Sequence, residues 1–189
     1  DSCLNLKNYE LPKIDISIFS PPYANCFDPF EVYKIELWIG EFVKSYDELR
    51  LKRREALTSN LNANLKKSIS EFDRPEILSK ITSYLSNQDL WDKRLTKMVD
   101  TYFYDMQNLM KQLYSQTKKD GWVVVVVGNS AYANLPVSTD ILIGVIAQEI
   151  GFSVKEIIVA RNNESSSQQY KKLGSSIKYL REILIFLKK

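Results

Sequence analysis

Trp122-Val123-Val124-Val125-Val126-Val127 is an unbroken apolar run in which five consecutive residues are valine. Valine is stiff at χ1 and packs well on a pleated surface, so five in a row disfavour a helix. A strand with one wet face would alternate apolar and polar residues. This run does not alternate, which predicts a central strand of a largely parallel sheet covered on both faces. Parallel pairing needs crossover connections, so the rest of the chain must supply helices.

The remaining elements fit that demand. Ile14, Ile16 and Ile18 with Phe19 read as a short strand ended by Ser20-Pro21-Pro22, since neither proline has an N–H for a ladder. Phe30, Tyr33, Leu37, Trp38 and Phe42 fall near helical spacing and predict an amphipathic helix to about Val43. Residues 45–118 read as almost wholly helical, with breaks at Pro75 and Ser86-Asn87 and a last helix over about 88–117. Trp91, Tyr102, Phe103 and Tyr104 read as core side chains there. Lys118-Lys119-Asp120-Gly121 reads as a turn and Gly128-Asn129-Ser130 as the end of the valine strand. A helix over 141–150, capped by Ser138 or Thr139, is stopped by Gly151. A strand over 153–160, a polar loop over 161–176 and a last strand over 183–187 complete the order. The expected fold is α/β, with parallel strands, an antiparallel last strand and a helical insertion.

At 189 residues the chain makes one domain, or one with a sizeable insertion. Its net charge of +3 permits a nucleic-acid partner without arguing for one. There is no histidine, which excludes Ser-His-Asp and Cys-His catalysis and every histidine metal site. Cys3 and Cys26 form neither a disulfide framework nor a zinc pattern, so no metal is expected and a reducing cytoplasm is the simplest home. The apolar runs are far short of the roughly 20 residues that span a bilayer, and no signal peptide is evident.

The corner after the first strand carries the chemistry. Ligands of open α/β sheets bind beyond the carboxyl ends of the strands, where Ser20 to Tyr23 would sit. The Ser20 hydroxyl and free carbonyls make the spot acceptor-rich, and Tyr23 adds a flat face. This suits a planar ring bearing an exocyclic amine: acceptors draw on its N–H bonds while the aromatic face holds the ring.

"SPPY" at 20–23 resembles the (S/N/D)-P-P-(Y/F) motif of S-adenosylmethionine-dependent amino-methyltransferases, which act on cytosine N4 or adenine N6 of DNA. The serine form is more similar to the cytosine-N4 branch. "SPPYANCFDPFEVYKIELW", "KDGWVVVVVGNS", "PVSTDILIGVIAQEIGFSVKEIIVAR", "SSSQQ" and "LREILIFLKK" resemble successive parts of such enzymes, leaving out 45–118. The resemblance implies a partial Rossmann-like methyltransferase fold with its core in 1–44 and 119–189. The helical insertion, 45–118, would be a target-recognition or lid region. It also implies that Ser20 and the Pro21 carbonyl hold the amine, with Pro22 shaping the corner, and that Tyr23 stacks on a flipped base.

In that family S-adenosylmethionine is bound mainly by a glycine-rich loop and an acidic strand end. Neither occurs here: the six glycines, at 40, 121, 128, 144, 151 and 174, form no G-x-G. Asp1-Ser2 is similar to the tail of the family's "G-D-S" turn, which leaves Asp1 and Ser20 on the cofactor side. The chain is therefore expected to be a fragment, one subunit of a split enzyme, or a binding module descended from the fold. Its partners would be DNA and a second polypeptide or segment supplying the cofactor half. An exposed sheet edge would carry the association, with that half or in a homo-oligomer. Asn25, Asp28, Asn129, Arg161, Gln168 and Gln169 are candidate substrate or DNA contacts, with Ser130 and Ser166 beside them. Arg50, Lys52, Arg53 and Arg54, with Lys66 and Lys67, form a basic cluster suited to phosphates or to a solvated helix face.

Overall fold

A computed structural model describes residues 2–162 and 174–189. Its main sheet has four strands: β1 (Ile14–Phe19), β2 (Thr117–Gly128), β5 (Ser153–Asn162) and β6 (Arg181–Lys188). Their spatial order is β1-β2-β6-β5. β1 runs parallel to β2, and β6 runs antiparallel to both β2 and β5. Three strands thus point one way and the last in sequence is inserted between two of them, a mixed α/β sheet of partial Rossmann-like type. A small hairpin, β3 (Ser130–Tyr132) with β4 (Leu135–Val137), stands apart from it.

The helices are α1 (Pro29–Val32), α2 (Lys34–Ile39), α3 (Tyr46–Glu55), α4 (Glu76–Ser86), α5 (Leu95–Gln116) and α6 (Thr139–Ile150). The helix expected over 30–43 is two short ones meeting at Tyr33, and the stretch 56–75 is irregular where helix was expected. Asp28 caps α1 by accepting the N–H groups of Phe30 and Glu31. Gly151, at φ +119°, stops α6 as anticipated. Ser138 occupies the N-cap position of α6 without a side-chain bond; Asn129 Oδ1 instead accepts the Asp140 N–H at 3.1 Å. No helix among the described residues is long and apolar enough to cross a membrane.

The anticipated turn at 118–121 lies inside β2 as a bulge. Ile14 pairs with Thr117 and Ile16 with Trp122, so residues 118–121 loop out opposite Asp15 alone, with Asp120 at φ 63°. Gly121 permits this, because a Cβ there would sit 2.9 Å from the Asp15 carbonyl oxygen.

The core lies on one face of the sheet. Val123, Val125 and Val127 on β2 and Ile183, Ile185 and Leu187 on β6 are fully buried beneath α5 and α6. α5 supplies Met98, Tyr102, Phe103, Met106 and Met110, and α6 supplies Leu142, Ile143 and Ile146. Tyr102 and Phe103 are core, as read from the sequence, whereas Trp91 is 72% exposed. The opposite face carries Ile16, Ile18, Trp122, Val124, Val126, Leu184 and Phe186. Among the described residues it is covered only in part: Ile18 is 68% exposed and Ile16 51%. The valine run predicted cover on both faces; the described residues provide it fully on one.

Candidate active site

Strand direction gathers one set of ends. The carboxyl ends of β1, β2 and β5 meet the start of β6, with Gly128 opposite Glu182 and Asn162 opposite Arg181. Ser20-Pro21-Pro22-Tyr23 leaves β1 at this edge. It borders an open cleft of about 690 Å³ whose lining includes all four residues. Asn25, Phe27, Pro29, Phe30 and Tyr33 continue the wall from the same stretch of chain, and Ser2 and Cys3 lie at its other end. The far wall is Arg53, Ala56, Leu57, Ser59 and Asn60, from α3 and the irregular segment after it. A polar corner faced by aromatic rings is the arrangement that receives a flat, hydrogen-bonding group.

The corner is clamped from four sides. Tyr23 OH donates to Glu182 Oε1 at 2.5 Å, and Glu182 Oε2 pairs with Arg161 Nε at 2.7 Å. Burial, then this bond, push the Tyr23 phenol above its ordinary range, with the Ser20 side chain acting the other way. The Tyr23 bond, followed by Arg161, holds Glu182 below the usual carboxylate range. The Ala24 carbonyl accepts from both Ser130 Oγ and Tyr132 OH at 2.7 Å. Cys26, in the left-handed region at φ 64°, donates its N–H to the Ser59 carbonyl at 3.1 Å.

The fourth clamp also joins the two walls of the cleft. Asp28 Oδ2 lies 3.2 Å from Arg53 Nε and accepts from Asn62 Nδ2 at 3.0 Å, while Arg53 also donates to Glu31 at 3.1 Å. Beneath them Lys67 Nζ is 2.7 Å from Asp105 Oδ2, whose same oxygen accepts the Thr58 N–H at 2.8 Å. With Asp105 almost wholly buried, that pair fixes the backbone course of 56–60.

The sequence candidates are distributed as follows. Ser20, Pro21, Pro22, Tyr23 and Asn25 share the cleft. Asn25 Oδ1 also accepts the Phe27 N–H. Asp28 sits behind the lining as cap and ion-pair partner. Arg161 reaches the corner through Glu182. Asn129 is not in the lining; besides bonding Asp140, its Nδ2 donates to the Tyr179 carbonyl at 3.1 Å. Asp1, Ser166, Gln168 and Gln169 lie outside the described residues. Glu182, Arg53, Ser59 and Asn60 were not singled out for the cleft from sequence. The density of Ser, Thr and Asn over 58–64 was a usable signal, because those residues favour turns over helix.

Three curated relatives match most of the chain. Type II methyltransferase M.AvaI, from Nostoc sp. PCC 7120 and from Anabaena variabilis, is 29% identical over 178 residues, covering 89% of this chain and 37% of the relative. Type II methyltransferase M.BsoBI of Geobacillus stearothermophilus is 30% identical over 200 residues, covering 92% and 38%. The chain is a homologue of Type II DNA methyltransferases. It spans a little over a third of the length of those relatives. No protein-family model matches. A protein of Thermus thermophilus, described as a candidate DNA modification methylase, overlaps 61% of this chain and 42% of its own. Its TM-score of 0.38 and 16% identity are too low to carry an argument.

The motif resemblance read from the sequence implies S-adenosylmethionine, and the cleft bears on that expectation. Among the described residues, its lining contains no glycine to let a backbone approach the donor and no carboxylate to hold a ribose. The described residues do not make up a complete donor site.

Proposed function

We propose that this chain is the target-amine half of a DNA amino-methyltransferase that uses S-adenosylmethionine and acts on cytosine N4. The observation that carries the reading is the Ser20 to Tyr23 corner at the carboxyl end of β1, lining a cleft with an aromatic wall. In this role Ser20 Oγ and the Pro21 carbonyl accept from the exocyclic amine. Tyr23, anchored through its oxygen to Glu182, offers its ring to a base taken out of the stack. Asn25 borders the same base. Asn129 acts at one remove, by bonding the start of α6, and Arg161 by holding Glu182. Gln168 and Gln169 stay proposed DNA contacts on sequence grounds alone. Residues 45–118 act as the insertion that closes the cleft, between core segments 1–44 and 119–189. A cytoplasmic setting accompanies this reading.

Donor binding then falls to a partner, a second polypeptide or another segment, with Ser20 on its side and Asp1 assigned there on sequence grounds alone. The half-covered sheet face with Ile16 and Ile18, at the β1 edge, supports such a partner; a second copy of the chain is the competing occupant. A non-catalytic DNA-binding module is the second reading, favoured by the lack of donor-binding groups among the described lining residues.

Calorimetry with S-adenosylmethionine tests this, on the chain alone and after complementation with the donor-binding portion of a homologue. Silence alone, binding after complementation, and N4-methylcytosine in duplex DNA are expected. Tyr23→Ala should abolish transfer while leaving donor binding intact. Donor binding by the chain alone sinks the half-enzyme reading, and a complemented protein that binds donor but never methylates DNA establishes the non-catalytic one.

A further inference from the structure

Of the basic cluster Arg50, Lys52, Arg53, Arg54, Lys66 and Lys67, three cations are ion-paired and two of the others reach a groove. Arg50 pairs with Asp47 at 3.6 Å, Arg53 with Asp28 and Glu31, and Lys67 with Asp105. These cations are neutralised within the fold. Arg54, Lys66 and Lys97 have no ion-pair partner among the described residues, and all three come together in a second open groove of about 580 Å³. Arg94, paired with Asp92 at 2.7 Å, is the fourth cation of its lining, and Asn62 and Asn64 add amides. Among the described residues its lining contains no carboxylate and no aromatic ring. Asp100, which influences Lys97 only at a distance, is itself bonded to Arg74 at 2.6 Å.

We propose that this groove holds the phosphodiester backbone of the DNA whose base enters the cleft, so the inference rests on the DNA reading above. Three unneutralised cations repel one another, and a polyanion is the partner that relieves this. Without aromatic faces the groove cannot stack bases, so it senses charge rather than sequence. Its position fits. Arg53 lines the cleft and the adjacent Arg54 the groove, and Asn60 lines the cleft where Leu61 and Asn62 line the groove. The two sites are opposite sides of one wall. A strand presenting a base to one side lays its phosphates along the other.

The test is equilibrium binding of a fluorescent duplex oligonucleotide by the chain across a salt series. The triple variant Arg54→Gln, Lys66→Gln, Lys97→Gln is compared with wild type, and Arg50→Gln serves as a control outside the groove. The triple variant should flatten the slope of log K against log salt by about 2.7, at about 0.9 per lost phosphate contact, equally for unrelated sequences. Arg50→Gln should leave the slope alone. Circular dichroism confirms that the triple variant is folded. If wild type binds and the triple variant keeps its slope, the groove is wrong and the DNA reading stands. If wild type does not bind duplex at any salt, the DNA reading of this chain fails and the groove with it.

Discussion

The phenol oxygen of Tyr23 lies 2.5 Å from Glu182 Oε1, a contact across 159 residues of chain. The aromatic ring of the corner is therefore set by the start of a distant strand as well as by its own loop. A double-mutant cycle of Tyr23→Phe with Glu182→Ala, which removes the acceptor, should give a coupling of about 1 kcal/mol by urea unfolding, below the range for fully buried bonds to charged groups because this pair is half-buried. Additive effects would mean that the bond does not form in solution.

The same pair predicts opposite pH limbs. Glu182 is held below its ordinary 4.5, so its contribution is present above that value and disappears as pH falls through the lower folded value. Tyr23 is raised above its ordinary 10.0, so its contribution is complete below that value and disappears as pH rises through the higher folded value. Denaturation midpoints should show the gap between wild type and Glu182→Gln narrowing in acid. The gap to Tyr23→Phe should narrow in alkali.

Lys67→Met should destabilise the chain by about 3 kcal/mol, because it leaves the Asp105 carboxylate buried without its cation. Adding Asp105→Leu should recover part of that loss, though the Thr58 N–H then goes unbonded. Chemical denaturation of the single and double variants checks the order.

Gly121→Ala should cost about 1–3 kcal/mol by overpacking, since the new methyl meets backbone oxygens of Asp15 and Lys118 at 2.9 and 3.0 Å. A thermal scan that places the variant at the wild-type midpoint would show that the bulge can open.

Much of the fold was readable because its signals are local. The valine run, the Pro21-Pro22 stop and Gly151 each act within a few residues, and β1, β2, β5, β6 and α6 follow from them. The hairpin of β3 and β4 was missed because it hinges on positive φ at Ala133 and Asn134, and alanine gives no hint of that. The single helix expected over 30–43 failed because apolar spacing continues through the break at Tyr33. In the site, Ser20 to Tyr23 carried a motif. Glu182 and Arg53 matter only through partners far away in sequence, and neighbours in sequence cannot reveal those.

The insertion of β6 between β2 and β5 also orders events in time. On a ribosome, β5 leaves the exit tunnel before the strand that seats it: among the described residues it pairs with β6 alone, so its place on the sheet exists only after residues 181–188 have followed. Until then its apolar side chains and those of the valine strand are open to any other nascent chain. Synthesis must run through Lys188 before the sheet can close, so premature stops or slow codons between β5 and the end of β6 should send this protein to chaperones or inclusion bodies rather than yield a shortened folded product.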